Sequence, residues 1–374
     1  MNITAKRINF VSIQQQQGIY ADGYEPTPLR TGYEEILAQR TSSLFAASAE
    51  HDGKVIAVEK YGVTVEYADG SQTAYQLGEI HGLAAGVAYP HKVITNMKVG
   101  DTFVRGETIS YNERYFTPDR MTPGRVIWKA GVNVVVAFSD NLDTLEDGSV
   151  ISESLATKLN TQISKIKTVT AKFDQEISEL VKVGDKVDLE TILCIIKDPT
   201  ASDGTFYDEA SRETLTKVGS DAPRAKVVGT ISKIECFYRG ERDEMSDSLR
   251  QIAYASDKVR EAEAKQQMQP YYSGELDQVD NTVDINIYID HDVPCGVGDK
   301  GVVANQMKTV FSDVMSGINQ SESGLDLDLI FGNTSVEERM VYSPKLIATA
   351  TILLAQLSQH LVGVYRGTTN AKFK

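Results

Sequence analysis

Lys300 and Lys308 stand eight residues apart in the segment VGDKGVVANQMKTVF, which runs from Val297 to Phe311. A lysine ammonium is a compact point charge with three donors, suited to the anionic oxygens of a phosphodiester. Two of them at a fixed separation can hold the phosphates of one chain. Further on, Arg339 follows Glu337 and Glu338. Its planar fork suits a triphosphate tail, although an adjacent carboxylate could equally take it as a partner. Upstream, Glu146 and Asp147 form an acidic pair before Gly148. Such a pair can assist a hard divalent cation, or it can be an ordinary solvated turn. It is not an EF-hand: in DTLEDGSVISES, from Asp143, the third position is Leu145 and the twelfth is Ser154, so the oxygen ligands are missing.

Other common chemistries find less support. His51, His81, His91, His291 and His360 show no ligand spacing along the chain. Cys194, Cys236 and Cys295 are too widely separated for a zinc knuckle or a disulfide framework, which points to a reducing compartment. No convincing nucleophile sits beside a base.

The elements that must position the lysines read as β-structure. Lys300 follows a Gly-Asp turn that occurs three times: VGDTFVRGETI at Val99, VGDKVDLETIL at Val183 and VGDKGVVANQM at Val297. Each copy predicts an apolar residue, a tight turn made possible by glycine, and then a strand. Small β-barrels use such turns, so the turn alone implies structure rather than chemistry. The second copy also carries Lys186, but eight residues later it has Cys194. The lysine pair belongs to the third copy only.

Elsewhere, Lys54–Leu77 alternates around Asp69-Gly70 and predicts a β-meander. Val132–Phe138, VNVVVAF, predicts one buried strand, and Thr282–Asp292 an alternating one. Ser246–Met268 predicts a charged helix capped by Ser246 or Asp247, with a solvated or partner-facing surface. Leu346–Tyr365 is apolar, but Gln356, Gln359 and His360 are expensive in lipid, so it predicts a helix buried in the protein or against a partner. The segment Gln269–Asn281 reads as a loop.

The chain has 374 residues, 41% of them hydrophobic, enough for two or three domains with real cores. Its net charge of −14 disfavours a free-standing nucleic-acid binder. Contact with nucleic acid would need a local basic patch or a larger assembly. The N-terminus, MNITAKRINF, lacks the apolar run of a signal peptide.

Taken in order, these motifs resemble the β subunit of multisubunit DNA-directed RNA polymerases. The family's active-site block, GDKMAGRHGNKG followed by a VDIVLNPLGVPSRM-like stretch, has its counterparts in GDKGVVANQMKT and LDLIFGNTSVEERM. Lys300 and Lys308 fall on the family's lysines, Asp328 on its strand aspartate and Arg339 on its arginine. Upstream, Gly131–Leu155 is similar to a family segment in which Glu146 and Asp147 match an acidic pair. At the start, Ala5–Ile19 is similar to A-N-R-A-L-M-G-x-N-M-Q-R-Q-A-V, which puts Arg7, Gln15 and Gln17 on family positions.

The resemblance implies a mainly β fold with some α: part of a double-psi β-barrel, small flap or wall barrels, and a few helices. It divides the chain into an active-site region at 1–160, a flap- or wall-like region at 161–280, and a region at 281–374 that completes the barrel with the lysine pair and a C-terminal helix. Lys300 and Lys308 would hold the RNA 3′ end, and Arg7 and Arg339 the β- and γ-phosphates of the nucleotide. Gln15 and Gln17 would touch RNA or template. Glu146 and Asp147 would act through water on the second Mg2+, the metal itself being held by a β′-type partner with an NADFDGD motif. Only the middle-to-late third of a β subunit is matched, which implies the split subunits of giant bacteriophages. The implied partners are β′-type subunits, an N-terminal β fragment, a C-terminal clamp segment, template DNA, RNA, nucleoside triphosphates and a phage initiation factor, with no membrane. The implied location is the host bacterial cytoplasm or the virion.

Two departures stand out. The family's G-R-H-G-N between the lysines is here Val303–Met307, VANQM, and Glu337-Glu338 replace Pro-Ser beside Arg339. The rival expectation is a non-enzymatic, β-rich phage structural or assembly protein. A hydrolase on a double-psi barrel is a second rival.

Overall fold

The computed structural model describes residues 2–6, 20–27, 30, 32–84, 87–197, 222–268, 279–304, 307–322, 324–338 and 342–368. The fold is mainly β, with 40% strand against 21% helix, arranged in several sheets with a few helices. The chain leaves and re-enters each of two compact units: Met1–Arg40, Glu113–Thr161 and Val293–Lys374 form one, Thr41–Asn112 and Gln162–Asp292 the other.

The first unit is built on a seven-stranded sheet. Its order is Val132–Asn133, Asn2–Lys6, Lys300–Val303, Met307–Met315, Gly148–Ser152, Leu329–Phe331, Val136–Phe138. The two edge strands are neighbours in sequence, separated only by Val134 and Val135. Three peptide units reach at most about 11 Å, whereas a flat sheet of this width would set its edges roughly 28 Å apart. The sheet therefore curls round on itself. Inside the curl lie Ile151, Val303, Met307, Phe311, Leu329 and Phe331, all fully buried.

VNVVVAF is thus not one buried strand. Val135 is 36% exposed, and its backbone turns aside: its N–H donates to Asp328 Oδ2 at 2.9 Å and its carbonyl accepts from Asp328 N–H at 3.0 Å. A run of apolar β-branched residues fits a through-going strand and a strand change at a barrel seam equally well, and Asp328 decides between them.

In the second unit, three long strands, Thr161–Lys172, Gly229–Arg239 and Thr282–Val293, lie in an eight-stranded sheet. The alternation expected of the last is realised: Val283, Ile285, Ile287 and Ile289 are fully buried on one face. The helix Asp247–Gln266 starts where its cap predicts, with Ser246 Oγ accepting from Leu249 N–H. It is not solvated all round, because Leu249, Ala253 and Asp257 are buried. The meander is three strands, Gly53–Val58, Gly62–Tyr67 and Gln72–Gln76, with Gly70 at φ 83° in the turn.

The three Gly-Asp turns are one structure made three times. Gly100, Gly184 and Gly298 take φ of 92°, 96° and 90°, and Asp101, Asp185 and Asp299 each accept through Oδ2 from the backbone N–H three residues back. Each glycine N–H donates to a core strand residue (Val55, Ile231 or Phe311), and that residue's N–H donates back to the aspartate carbonyl. The apolar residue ahead of each glycine is left outside: Val99, Val183 and Val297 are 62–65% exposed.

The C-terminal helix spans Ser343–Tyr365, and only Pro344 on it is buried. Among the described residues its cover within this chain is slight, with Ile347 packed against the first unit's core. By length and composition alone it could cross a membrane.

Candidate phosphate-binding site

The lysines belong to a hairpin of Lys300–Val303 and Met307–Met315, paired so that Lys300 faces Val310 and Val302 faces Lys308. Directly opposed residues share a face, and so do residues two apart. Lys300 and Lys308 therefore stand on the same face, while Val303, Met307, Thr309 and Phe311 point into the core. Lys308 is exposed and Lys300 half-buried. The strand Asn2–Lys6 lies against the same hairpin with Lys6 opposite Lys300, so the described chain ends there one residue short of Arg7.

The acidic pair is tied to this hairpin. The Asp147 carbonyl accepts from Val310 N–H at 3.0 Å and from Thr309 Oγ1 at 2.8 Å. Thr309 Oγ1 also bonds to Ser149 Oγ at 2.6 Å, in a buried position. Both carboxylates are exposed. Glu146 holds a left-handed backbone at φ 54°, unusual for a residue with a Cβ. The loop is tight behind it: a Cβ on Gly148 would lie 2.7 Å from the Asp143 carbonyl oxygen.

A third segment closes on the loop. The stretch after Leu329–Phe331 is not open loop but a short helix, Asn333–Glu337. Asp140 anchors it, accepting from Thr334 N–H and Thr334 Oγ1, both at 3.0 Å. Ser335 Oγ donates to the Glu146 carbonyl. Asp328 acts within the seven-stranded sheet, its carboxylate accepting from Val135 N–H.

The fold thus brings together Lys300, Lys308, Glu146 and Asp147. Arg7, Gln15, Gln17 and Arg339 lie outside the described residues, as does most of the Gln269–Asn281 loop. Cys295, three residues before Gly298, is a half-buried free thiol. Burial, with Asp299 adding to it, pushes its pKa up to about 12, so it is no nucleophile.

A second polar cluster, Glu79, His81 and Asp290, lies in the other unit and was not anticipated from the sequence. The available signal was the Glu-x-His spacing on a strand, but the third member is more than two hundred residues away in the chain.

No protein-family model matches the chain, and a search of curated proteins returns no significant match.

Proposed function

We propose that this chain is a β-type fragment of a phage-encoded, multisubunit DNA-directed RNA polymerase. Its lysine hairpin would hold phosphates at the RNA 3′ end during template-dependent nucleotidyl transfer. One observation carries the reading: Lys300 and Lys308 share the outer face of one hairpin, whose Thr309 and Val310 bond the backbone carbonyl of Asp147. A basic face and an acidic edge, joined by direct bonds, suit a reaction in which phosphates and a cation meet. The left-handed Glu146 adds support, since held strain gathers at functional loops.

The curled sheet suits part of a double-psi barrel. It is mixed, with Gly148–Ser152 parallel to Met307–Met315 and Val136–Phe138 parallel to Leu329–Phe331.

Nucleotidyl transfer needs divalent metal to stabilise the attacking and leaving oxygens. Glu146 and Asp147 are hard oxygen donors, and two exposed carboxylates on one loop suit contact with Mg2+ through water rather than a complete cage. That fits a chain whose β′-type partner holds the metal. Here this chain contributes positive charge: Lys300 and Lys308 for the RNA end, Arg7 and Arg339 for the nucleotide tail, with Gln15 and Gln17 on RNA or template. Alone the chain would be inactive.

The test is purification of the tagged chain from infected host cells, followed by primer extension on a template. The expected result is co-purification of large partners, one bearing NADFDGD, and extension that collapses in Lys300→Ala and Lys308→Ala while assembly persists. A chain that purifies alone or within structural particles, and extends nothing, overturns the proposal in favour of a β-rich structural protein.

A further inference from the structure

We propose that Glu79, His81 and Asp290 bind a divalent transition-metal ion in the second unit. This site is separate in the fold from the lysine hairpin and does not depend on the polymerase reading.

Glu79 and His81 lie two residues apart on the strand Gly78–Ala84, so both side chains leave the same face. Asp290 comes from the long strand Thr282–Val293. One ligand atom from each of the three lies within 4.8 Å of the others. Metal bonds of about 2.0–2.2 Å require ligand atoms roughly 3–3.5 Å apart, so the groups need draw in only slightly. Glu79 is the exposed member of the three, and His81 and Asp290 are the more enclosed ones.

The independent pointer is His81. Its side chain is only 6% exposed, and among the described residues Nε2 is buried with no hydrogen-bond partner. That nitrogen faces Asp290 Oδ1 across 3.8 Å, too far for a hydrogen bond. A buried polar atom without a partner is rare and calls for a reason. A cation between the imidazole and the carboxylate supplies one.

The supporting groups are in place. Asp290 Oδ1 accepts from Ser232 Oγ at 2.9 Å and from Ser164 Oγ, which fixes the carboxylate. The His81 ring packs on Tyr288, with centroids 4.5 Å apart, and Tyr288 donates to Glu235 at 2.8 Å. Such outer groups hold metal ligands in register. Glu79 and His81 also border a cleft of about 490 Å³ that is shared with Lys233, Glu235 and Arg260. Three protein ligands beside a cleft leave a coordination position for water or a small anionic ligand. One imidazole with two carboxylates suits Zn2+ or Mn2+, whereas Mg2+ and Ca2+ prefer oxygen alone.

The experiment strips the full chain with chelator and dialyses it against Zn2+, Mn2+ or Mg2+ separately, counting retained metal by mass spectrometry. The expected result is one Zn2+ or Mn2+ per chain, lost in His81→Ala, weakened at least tenfold in Glu79→Gln and about tenfold in Ser164→Ala. No retained transition metal overturns the proposal. So does retention that is equal in wild type, His81→Ala and Glu79→Gln, or preference for Mg2+. If circular dichroism shows that His81→Ala does not fold, Glu79→Gln decides through the Co2+-loaded chain: an altered visible spectrum is expected, and an unchanged one sinks the site.

Discussion

Lys300 and Lys308 stand one diagonal step apart on the outer face of a single β-hairpin. Eight residues of chain are thereby folded into a separation of about 7–8 Å between backbones, within reach of one short stretch of phosphates. The opposite face of the same hairpin, Val303, Met307 and Phe311, is core. On the lysine face Val302 is buried as well, while Lys308 and Val310 are exposed.

That separation sets the first prediction. In the polymerase assembly proposed above, Lys300→Ala or Lys308→Ala should each lower the slope of log affinity for RNA primer–template against log salt by about 0.7–0.9, the loss of one phosphate contact. Stability of the isolated chain should change by no more than about 0.5 kcal/mol, as for other surface substitutions. An unchanged salt slope would remove both lysines from the nucleic acid.

Thr309 should act as a positioning residue. Its hydroxyl joins the Asp147 carbonyl to the buried Ser149 hydroxyl. Thr309→Val keeps the shape and removes the link, costing about 1–3 kcal/mol by denaturant melt. Thr309→Ser should restore most of it. If extension by the proposed polymerase assembly falls no further in Thr309→Val than in an equally destabilised core variant, the tether has no part in the site.

The repeated turns make a controlled comparison. Around Gly100 and Gly184 there is open space for a Cβ, so only the positive φ opposes a side chain. Gly100→Ala and Gly184→Ala should each cost about 1–2 kcal/mol, and the asparagine variants less, because asparagine tolerates this region. Equal losses for alanine and asparagine in a denaturation series would contradict this.

Acid should loosen the first unit through Asp119. This carboxylate is 2% exposed and takes both arms of Arg30, at 2.9 and 3.1 Å, and these bonds hold its pKa below the usual range. A depressed folded pKa means that the contribution is fully present above the unfolded value of about 3.9 and is lost as pH falls through the folded one. Stability should thus decline below about pH 4 in wild type. Arg30→Ala should cost about 2–3 kcal/mol at neutral pH and flatten the acid slope. A melt series between strongly acid and neutral pH reads both effects.

The thiols should be silent in the native state. Burial pushes Cys194 up to about 11 and Cys236 up to about 12, and Cys295 reaches about 12. At mildly alkaline pH almost no thiolate exists, so a disulfide reagent should label the chain only after denaturation. Rapid labelling of the native protein would refute this.

Local features were legible because their causes are local. The Ser246 cap, the alternation from Thr282, the Asp69-Gly70 turn and the three Gly-Asp turns all follow from a few adjacent residues and the backbone geometry those residues allow. The split in VNVVVAF was not legible, because Asp328, nearly two hundred residues away in the chain, supplies the bonds that divide it. The exposure of Ser343–Tyr365 was hidden for a similar reason: an apolar helix states that it wants cover but not where the cover is.

The sequence by itself determined the β character, the turns and which side chains are able to carry charge to a site, since residue type and period fix these. Tertiary structure alone decided which of those charges meet. Hairpin register put Lys300 beside Lys308, a buried threonine tied the Asp147 backbone to the same hairpin, and strand crossing set His81 before Asp290. Pairing across a sheet depends on contacts between residues far apart in the chain, and no local propensity encodes them.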